Sequence, residues 1–289
     1  MNRICIDALI KLRIKMFNFR NELKKAWKEK RAIGAFNVFD LESAQAVAEA
    51  ARETDYPVIM QITPKAVEYA GLKQIFDIAK NEIHENNIKA AIHLDHGKDF
   101  GIEKACVDQG FDSVMIDGSK LDFEANVAIT SKVVHYAKKY DTVVEGEIGV
   151  ISREEGGMLS GTAEFTKPEV VRDFALKSGV DILAVSVGNE HGAPAGEQVN
   201  EKLLSEIAAV TTVPLVMHGA SGLAKKDLRI AMRHGVVKVN IDTNIRKIFV
   251  DQFSREHPGV KDPREILILA KEAAKKLIID YIGIFSGRK

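Results

Sequence analysis

The stretch A-I-H-L-D-H-G, residues 91–97, begins like a buried β-strand and ends on titratable side chains. A strand of this kind normally closes on a turn signal such as Gly, Pro or Asn. Here His93, Asp95 and His96 crowd the end of the apolar run, and Gly97 follows only after them. The pattern indicates a strand whose carboxyl end carries chemistry, and it recurs at other strands of the chain.

Short apolar or β-branched runs alternate with longer segments of helical period from about Arg31 onward. This alternation is typical of βα units around a parallel sheet. Eight runs in 289 residues, with no Pro/Gly/Ser-rich linker between halves, favour one α/β domain, a single (β/α)8 TIM barrel, over a doubly wound sheet. The candidate strands span residues 32–38, 58–62, 90–94, 113–116, 142–146, 182–187, 213–217 and 236–241.

The segments between these runs carry helix signals. Residues 41–53 place apolar side chains at helical spacing, and Thr166 stands at an N-cap position three residues before an acidic side chain. We expect such helices to form an outer ring. A long helical pattern over residues 261–284 predicts a terminal helix that covers one end of the barrel or forms a subunit contact.

Charge and composition restrict the partners and the domain organisation. Lys plus Arg and Asp plus Glu each number 41, so neither nucleic acid nor a membrane is expected as a partner. Cys5 and Cys106 lie far apart without a C-x-x-C pattern, which fits a reducing cytoplasm. Charged side chains interrupt residues 1–20, which include residues 1–15, too often for a signal peptide or a membrane span. We expect them to form an N-terminal extension, or an arm that docks on a partner subunit, before one barrel domain over residues 16–289.

Polar side chains stand at the carboxyl ends of the other strands, where barrel enzymes of this kind carry their active sites. After strand three, they occur at Asp117, Glu145, Glu147, residues 189–191, residues 218–222 and residues 240–243. Because these strand ends meet at one rim of a barrel, we expect their side chains to surround a common site.

Three histidines at strand ends, His96, His191 and His218, each precede a glycine, which lets backbone approach a ligand closely. Three imidazoles with an open fourth position form a catalytic zinc site, so we predict that they bind Zn2+. Asp95 then stays free to exchange a proton with the substrate. A lone histidine inside a strand is more often a core residue, and His93 is interpreted in this way.

An anion site is expected on the late strands. Gly219 and Ser221 belong to a glycine-bearing loop that precedes a helix, and such loops offer backbone N–H groups to a phosphate. Barrels of this fold commonly bind phosphate after strands seven and eight. Asp242 and Thr243 would complete the site from strand eight.

Six motifs cover nearly the whole chain from Met16: G-A-F-N-V (34–38), H-L-D-H-G (93–97), E-G-E-I-G (145–149), G-N-E-H-G (188–192), P-L-V-M-H-G-A-S-G (214–222) and K-V-N-I-D-T (238–243). Together they resemble the class II, metal-dependent ketose-bisphosphate aldolases. The resemblance implies a zinc-dependent lyase that cleaves fructose 1,6-bisphosphate, or tagatose 1,6-bisphosphate or another phosphoketose, into dihydroxyacetone phosphate and an aldehyde such as glyceraldehyde 3-phosphate. It also implies a homodimer or homotetramer.

The resemblance further implies roles for individual residues. Asp95 matches the catalytic aspartate, Asp117 and Glu147 match positions around the metal, and Asn37 and Asn240 match substrate-binding positions. The positions that hold the phosphate of dihydroxyacetone phosphate and a nearby monovalent cation, Na+ or K+, are matched by Gly192, Gly219, Ser221, Asp242 and Thr243.

Three segments depart from the family pattern, and one of them is residues 193–195, which lack the usual tyrosine. Counting on from Glu147, Glu155 reaches the loop glutamate that moves the proton at the attacking carbon. Ser152 and Arg153 stand where relatives have a glycine pair, so Glu154 is the alternative. The family's serine after strand two is Thr63 here, also a candidate substrate-binding residue. These departures leave the aldehyde partner open.

Two other functions stay open from the residues alone. Lys238 on strand eight would be the amine of a Schiff-base aldolase, which needs no metal but leaves the three histidines unexplained. A barrel that binds a phosphosugar as a sensor or scaffold would need no catalysis, and the altered loop around Arg153 is its only support.

Overall fold

The computed structural model describes residues 17–151, 153–155, 158–160, 164–189 and 198–287. The predicted N-terminal extension, residues 1–15, lies outside the described residues, as do His191 and Gly192.

The strands are β1 (Ile33–Asn37), β2 (Val58–Ile62), β3 (Ala90–Gly97), β4 (Ser113–Ile116), β5 (Val143–Ile148), β6 (Arg153–Glu155), β7 (Met158–Ser160), β8 (Ile182–Val185), β9 (Leu215–Met217) and β10 (Val236–Ile241). Strands β6 and β7 form an antiparallel hairpin. The other eight close into a parallel barrel in the order β1-β10-β9-β8-β5-β4-β3-β2. The predicted (β/α)8 barrel is confirmed, and its strands match the eight predicted runs to within a few residues.

The helices are α1 (Phe19–Glu29), α2 (Leu41–Thr54), α3 (Pro64–Ala70), α4 (Leu72–Asn86), α5 (Phe100–Gln109), α6 (Phe123–Ala137), α7 (Pro168–Ser178), α8 (Glu201–Val210), α9 (Lys225–Arg233), α10 (Thr243–Ser254) and α11 (Pro263–Phe285). Several begin directly after a strand at an aspartate that caps backbone N–H groups. Asp40 forms a capping box with Ser43 at the start of α2, and Asp99 caps α5. These caps turn the chain back quickly, so the strand ends lie at one rim.

Helix α1 closes the amino end of the barrel. Its apolar residues Phe19, Leu23 and Ala26 form one buried cluster with inward-facing strand residues such as Ile33 and Ile59. The remaining core lies between the sheet and the outer helices. Because α1 fills the amino end, the carboxyl ends of the strands form the accessible side of the barrel.

The sequence allowed the terminal helix to cover one end of the barrel, and the structure shows that it does not. Helix α11 lies in the outer ring, where it packs against α2, α10 and β1. Its last turn joins the barrel wall through a hydrogen bond from the Ala32 N–H to the Phe285 carbonyl. The periodicity of a helix shows which of its faces is apolar, but it does not show which part of the protein that face packs against.

The expected role of Thr166 as an N-cap is wrong. Helix α7 has Lys167 at its N-cap without a side-chain hydrogen bond. The Thr166 hydroxyl instead donates to the Ile148 carbonyl at 2.6 Å and accepts from the Ser186 N–H at 2.8 Å. Thr166 therefore joins the ends of β5 and β8, a tertiary contact that outweighs the local capping signal.

None of the helices in the described part of the chain combines the length and the hydropathy of a membrane span.

Candidate active site

Strand β3 ends in a bulge that brings two consecutive side chains to one place. Its register with β4 shifts between Leu94 and Gly97, and His96 adopts a left-handed backbone with φ of 52°. Consecutive residues of a regular strand point to opposite faces, and a bulge re-aims them. As a result Asp95 Oδ1 lies only 3.8 Å from His96 Nε2. A non-glycine residue held in this conformation costs about 1–3 kcal/mol, and such strain clusters at functional sites.

His96 and His218 are in direct contact near the carboxyl end of the barrel. His96 Nε2 lies 2.9 Å from His218 Nδ1, and the two rings meet edge to face with centroids 4.6 Å apart. Asp95 Oδ1 lies 3.9 Å from His218 Nδ1. These three residues, all buried, offer ligand atoms close enough together to hold one metal ion.

The opposite nitrogen of each ring contacts a carboxylate. His96 Nδ1 lies 3.2 Å from Asp117 Oδ2, and His218 Nε2 lies 2.7 Å from Glu145 Oε1. An ionised carboxylate only accepts hydrogen bonds, so it holds the N–H of each imidazole on the outer side. Metal-binding histidines in proteins are oriented in this way.

The residues therefore fit a divalent metal ion. With both rings oriented by carboxylates, the lone pairs of His96 Nε2 and His218 Nδ1 point at one another across 2.9 Å. Two lone pairs at that distance repel, and a shared cation or proton removes the repulsion. Imidazole nitrogens suit zinc and related transition metals better than magnesium or calcium.

Asp117 and Glu147 lie on the far side of the His96 ring from Asp95. Glu147 Oε2 is 3.7 Å from His96 Nδ1, and these two carboxylates with His96 form a second group that could hold a metal ion. Asp117 is itself positioned by Ser119, whose hydroxyl and N–H both donate to Asp117 Oδ1. The two expected metal neighbours therefore lie next to His96 and away from His218.

Asp95 is a buried carboxyl group held beside His96. Burial raises the pKa of Asp95, and the neighbouring His96 opposes that shift. The Asn240 side-chain amide donates to Asp95 Oδ1 at 3.2 Å. A buried carboxyl whose affinity for protons is increased is a more effective general base near neutral pH than an exposed one.

A cavity of about 850 Å³ opens above these groups at the carboxyl ends of β1, β2, β3, β9 and β10. Nine of the residues predicted from the sequence line it: Asn37, Thr63, Asp95, His96, Gly219, Ser221, Asn240, Asp242 and Thr243. His218, Asp117 and Glu147 do not line the cavity but lie behind His96. His191 and Gly192 are outside the described residues, and Glu155 is described only through the backbone of β6.

The late strands form one end of the cavity. Gly219 has a left-handed φ of 62°, which a residue without a Cβ adopts without strain, and Ser221 follows in a short 3-10 turn. Asp242 precedes α10, and Arg246 contacts both of its carboxylate oxygens at 2.9 Å. The guanidinium neutralises a negative charge that would otherwise repel a phosphate at this end.

Gln61 is a site residue that sequence reasoning missed. It is buried on β2 and lines the cavity beside Asn37, to whose side-chain oxygen it donates at 2.7 Å. Its own amide oxygen has no hydrogen-bond partner among the described residues. The signal was present in the sequence as one polar residue in the apolar run V-I-M-Q-I of residues 58–62.

Lys238 is not placed to form a Schiff base. It is fully buried, its ammonium lies 2.9 Å from Glu145 Oε2, and it does not line the cavity. His93 is also fully buried and is hydrogen-bonded to Ser113 at 2.9 Å, as the interpretation of His93 as a core residue expects.

Comparison with known proteins identifies the family. Residues 17–288 match the family model of class-II fructose-bisphosphate aldolases. The D-tagatose-1,6-bisphosphate aldolase subunit GatY of Klebsiella oxytoca is 38% identical over 271 residues, covering 92% of this chain and 95% of that protein.

Solved structures agree. A putative fructose-1,6-bisphosphate aldolase from Coccidioides immitis superimposes with a TM-score of 0.85 at 26% identity, over 94% of this chain and 97% of the other. The YdjI aldolase from Escherichia coli K12 gives a TM-score of 0.80 at 26% identity, over 92% and 96% of the two chains.

The family match and the barrel thus identify the class of protein as the metal-dependent aldolases. The chain belongs to the class II fructose-bisphosphate aldolase family, and it is an enzyme, a lyase of carbohydrate metabolism. Membership of this family argues against both a Schiff-base mechanism and a barrel that only binds its ligand.

Proposed function

We propose that this chain is a zinc-dependent aldolase that reversibly cleaves a ketose 1,6-bisphosphate, fructose or tagatose 1,6-bisphosphate, into dihydroxyacetone phosphate and glyceraldehyde 3-phosphate. The observation that carries the proposal is the meeting of His96 Nε2, His218 Nδ1 and the Asp95 carboxylate within 3.9 Å of one another, with Asp95 and His96 lining a cavity of about 850 Å³ and His218 behind them. His191 is the third proposed zinc ligand.

We assign a separate role to each group. A bound zinc ion supplies positive charge that stabilises the negative charge developing on substrate oxygens. Asp95 accepts the proton of the hydroxyl at the carbon–carbon bond that breaks, and Asn240 holds its carboxylate in place. As the carbon–carbon bond breaks, the oxygen that lost its proton becomes the carbonyl of the aldehyde, and the electron pair of the bond stays on the dihydroxyacetone phosphate half as a carbanion. Glu155 then returns a proton to the carbanion carbon.

Substrate binding is assigned to the cavity walls. Gly219, Ser221 and Thr243 bind the phosphate of the dihydroxyacetone half at the start of α10, with Gly192 and a monovalent cation, Na+ or K+, beside Asp242. Asn37 and Thr63 bind hydroxyl groups of the sugar from β1 and β2. We further assign a cytoplasmic location, a homodimer or homotetramer, and an N-terminal extension over residues 1–15.

The two candidate sugars differ in configuration at the carbon whose hydroxyl Asp95 deprotonates. The 38% identity to a tagatose-bisphosphate aldolase subunit supports tagatose 1,6-bisphosphate as strongly as the family name supports fructose 1,6-bisphosphate. Cleavage rates of both sugars, measured side by side with and without a chelator, test the proposal. We expect turnover of at least one sugar, its loss in chelator and its return with added Zn2+. Full turnover in metal-stripped protein would overturn it.

The loop base is tested separately by hydrogen exchange at the attacking carbon of dihydroxyacetone phosphate, which needs no aldehyde. Glu155→Gln should slow exchange by about two to four orders of magnitude, the usual effect of removing a general base. Glu154→Gln, a change of the same kind at the neighbouring position of β6, is the matched control and should be nearly silent. The reverse result would assign the role to Glu154, and equal exchange in both variants would remove the base from β6.

A further inference from the structure

Beneath the cavity, the barrel interior contains a lysine and a glutamate that the reaction does not use. Lys238 projects from β10 and Glu145 from β5, and both side chains are 0% exposed. Neither lines the cavity. Lys238 Nζ lies 2.9 Å from Glu145 Oε2, while Glu145 Oε1 lies 2.7 Å from His218 Nε2. The glutamate thus contacts a lysine with one oxygen and a site histidine with the other.

A buried ion pair of this kind contributes little to the stability of the fold. Removing two charges from water costs several kcal/mol per ion, and well-packed apolar side chains of similar volume are often as stabilising or more so. The interior of a barrel is normally filled by branched apolar residues. The pair therefore calls for an explanation in what it contacts, and that contact is His218.

The contact determines which nitrogen of His218 carries the proton. The Glu145 carboxylate can only accept, so His218 Nε2 donates to it and Nδ1 keeps its lone pair. Nδ1 is the nitrogen that faces His96 and Asp95. The Asn240 amide nitrogen lies 3.1 Å from the same Nδ1, as expected for a donor that meets an acceptor.

Lys238 determines how the glutamate is turned. Among the described residues, the ion-pair partners of Glu145 are Lys238 and two histidines, His93 and His218. Lys238 Nζ lies 2.9 Å from Oε2 and His93 Nε2 lies 3.7 Å from it, so the lysine is the group that anchors Oε2. With Oε2 anchored, Oε1 is left to His218.

We propose that Lys238 is a positioning residue that acts through Glu145 to hold His218 in the tautomer with Nε2 protonated and Nδ1 available to a metal ion. The metal part of this inference rests on the proposed function, because it takes His218 as a ligand. The tautomer part does not, since it concerns the metal-free protein.

The first measurement is the tautomer of His218 in metal-free protein labelled with 15N-histidine, observed by NMR at mildly alkaline pH and assigned with His218→Gln. We expect Nε2 protonated and Nδ1 unprotonated in the unmodified chain. Lys238→Met keeps an unbranched side chain of similar length without the charge and should give a mixture of tautomers. Lys271→Met is the matched control, because Lys271 pairs with Glu49 at 2.7 Å between α11 and α2, far from the site.

The second measurement is affinity for Zn2+ and Co2+ by competition with a chelator. Lys238→Met should bind about 10–100-fold more weakly, the usual effect of losing the group that orients a metal-binding histidine. Lys271→Met should bind within about twofold of the unmodified chain. Glu145→Gln should lose about as much as Lys238→Met, and the double variant no more, because both residues act through one contact.

If Lys238→Met does not fold, the double variant Lys238→Met/Glu145→Gln removes both charges and leaves a neutral interior in which the same two measurements decide. A protonated Nδ1 in the unmodified chain would overturn the proposal. So would an unchanged tautomer and unchanged affinity in the double variant, which would show that the pair only fills space. An unmodified chain that binds no metal would defeat the proposed function instead, and the tautomer would still decide this inference.

Discussion

Gly97→Ala should disturb the bulge that carries Asp95 and His96, through one identifiable collision. A Cβ at residue 97 would lie 1.8 Å from Glu103 Oε1, 2.8 Å from Glu103 Cδ and 3.0 Å from Leu94 Cδ2. Ordinary contact begins at 3.4 Å, and Glu103 is fully buried, so its carboxyl group cannot swing into solvent. Overpacking of this kind costs about 1–3 kcal/mol.

The expected loss is measurable in both stability and activity. For a chain of this size, 1 kcal/mol lowers the melting temperature by about 2 °C, so Gly97→Ala should melt about 2–6 °C lower. Because His96 is the adjacent residue, a displacement of about 1 Å should lower the rate of sugar cleavage by about 100-fold.

The test is a double-mutant cycle with Glu103→Ala, followed by urea and thermal unfolding and by cleavage rate. Glu103→Ala removes the two closest contacts together with a carboxyl group that has no hydrogen-bond partner among the described residues, so alone it should be close to neutral. In its presence, Gly97→Ala should regain most of its loss, with a coupling energy of about 1–3 kcal/mol. Gly283→Ala on α11, with nothing within 4 Å of the new Cβ, is the control and should gain up to about 1 kcal/mol. Additive losses at residues 97 and 103 would refute the collision.

Three further outcomes are expected. Burial raises the pKa of Glu103 well above 4.5, so the folded chain keeps a proton that the unfolded chain loses, and the free energy of unfolding falls as pH rises above 4.5. Glu103→Gln should remove that part of the fall. Free energies of unfolding that change with pH in the same way in both proteins would contradict this. Asp117→Asn should weaken metal binding by about 10–100-fold, because Ser119 donates to the amide oxygen and the NH2 group is left facing His96 Nδ1. Unchanged affinity in a chelator competition would show that Asp117 does not orient this ring. Arg20→Ala should lower the free energy of unfolding by about 1 kcal/mol, because it removes an ion pair with Asp181. The cleavage rate should not change, since Asp181 precedes β8 at the amino end of the barrel, which α1 closes. A slower reaction would contradict the separation of the two barrel ends.

Alternating apolar runs and helical segments were sufficient to predict the barrel, because the period of a strand and the period of a helix are local properties of the chain. The eight runs match the eight barrel strands for the same reason. The placement of polar residues after those runs also predicted part of the cavity lining, namely Asp95, His96, Gly219, Ser221, Asn240, Asp242 and Thr243, since the carboxyl ends of parallel strands meet at one rim.

What the tertiary structure decided depends on contacts between residues distant in sequence. Three features each involve two or more strands: the bulge at His96, the hydrogen bonds of Thr166 and the ion pair between Glu145 and Lys238. No local sequence pattern predicts them. Lys238 illustrates the difference: by residue type it was a candidate nucleophile, and only its burial against Glu145 shows an ion pair beneath the site. A side chain's chemistry is written in the sequence, but the direction in which it points is determined by the backbone and by the groups packed around it.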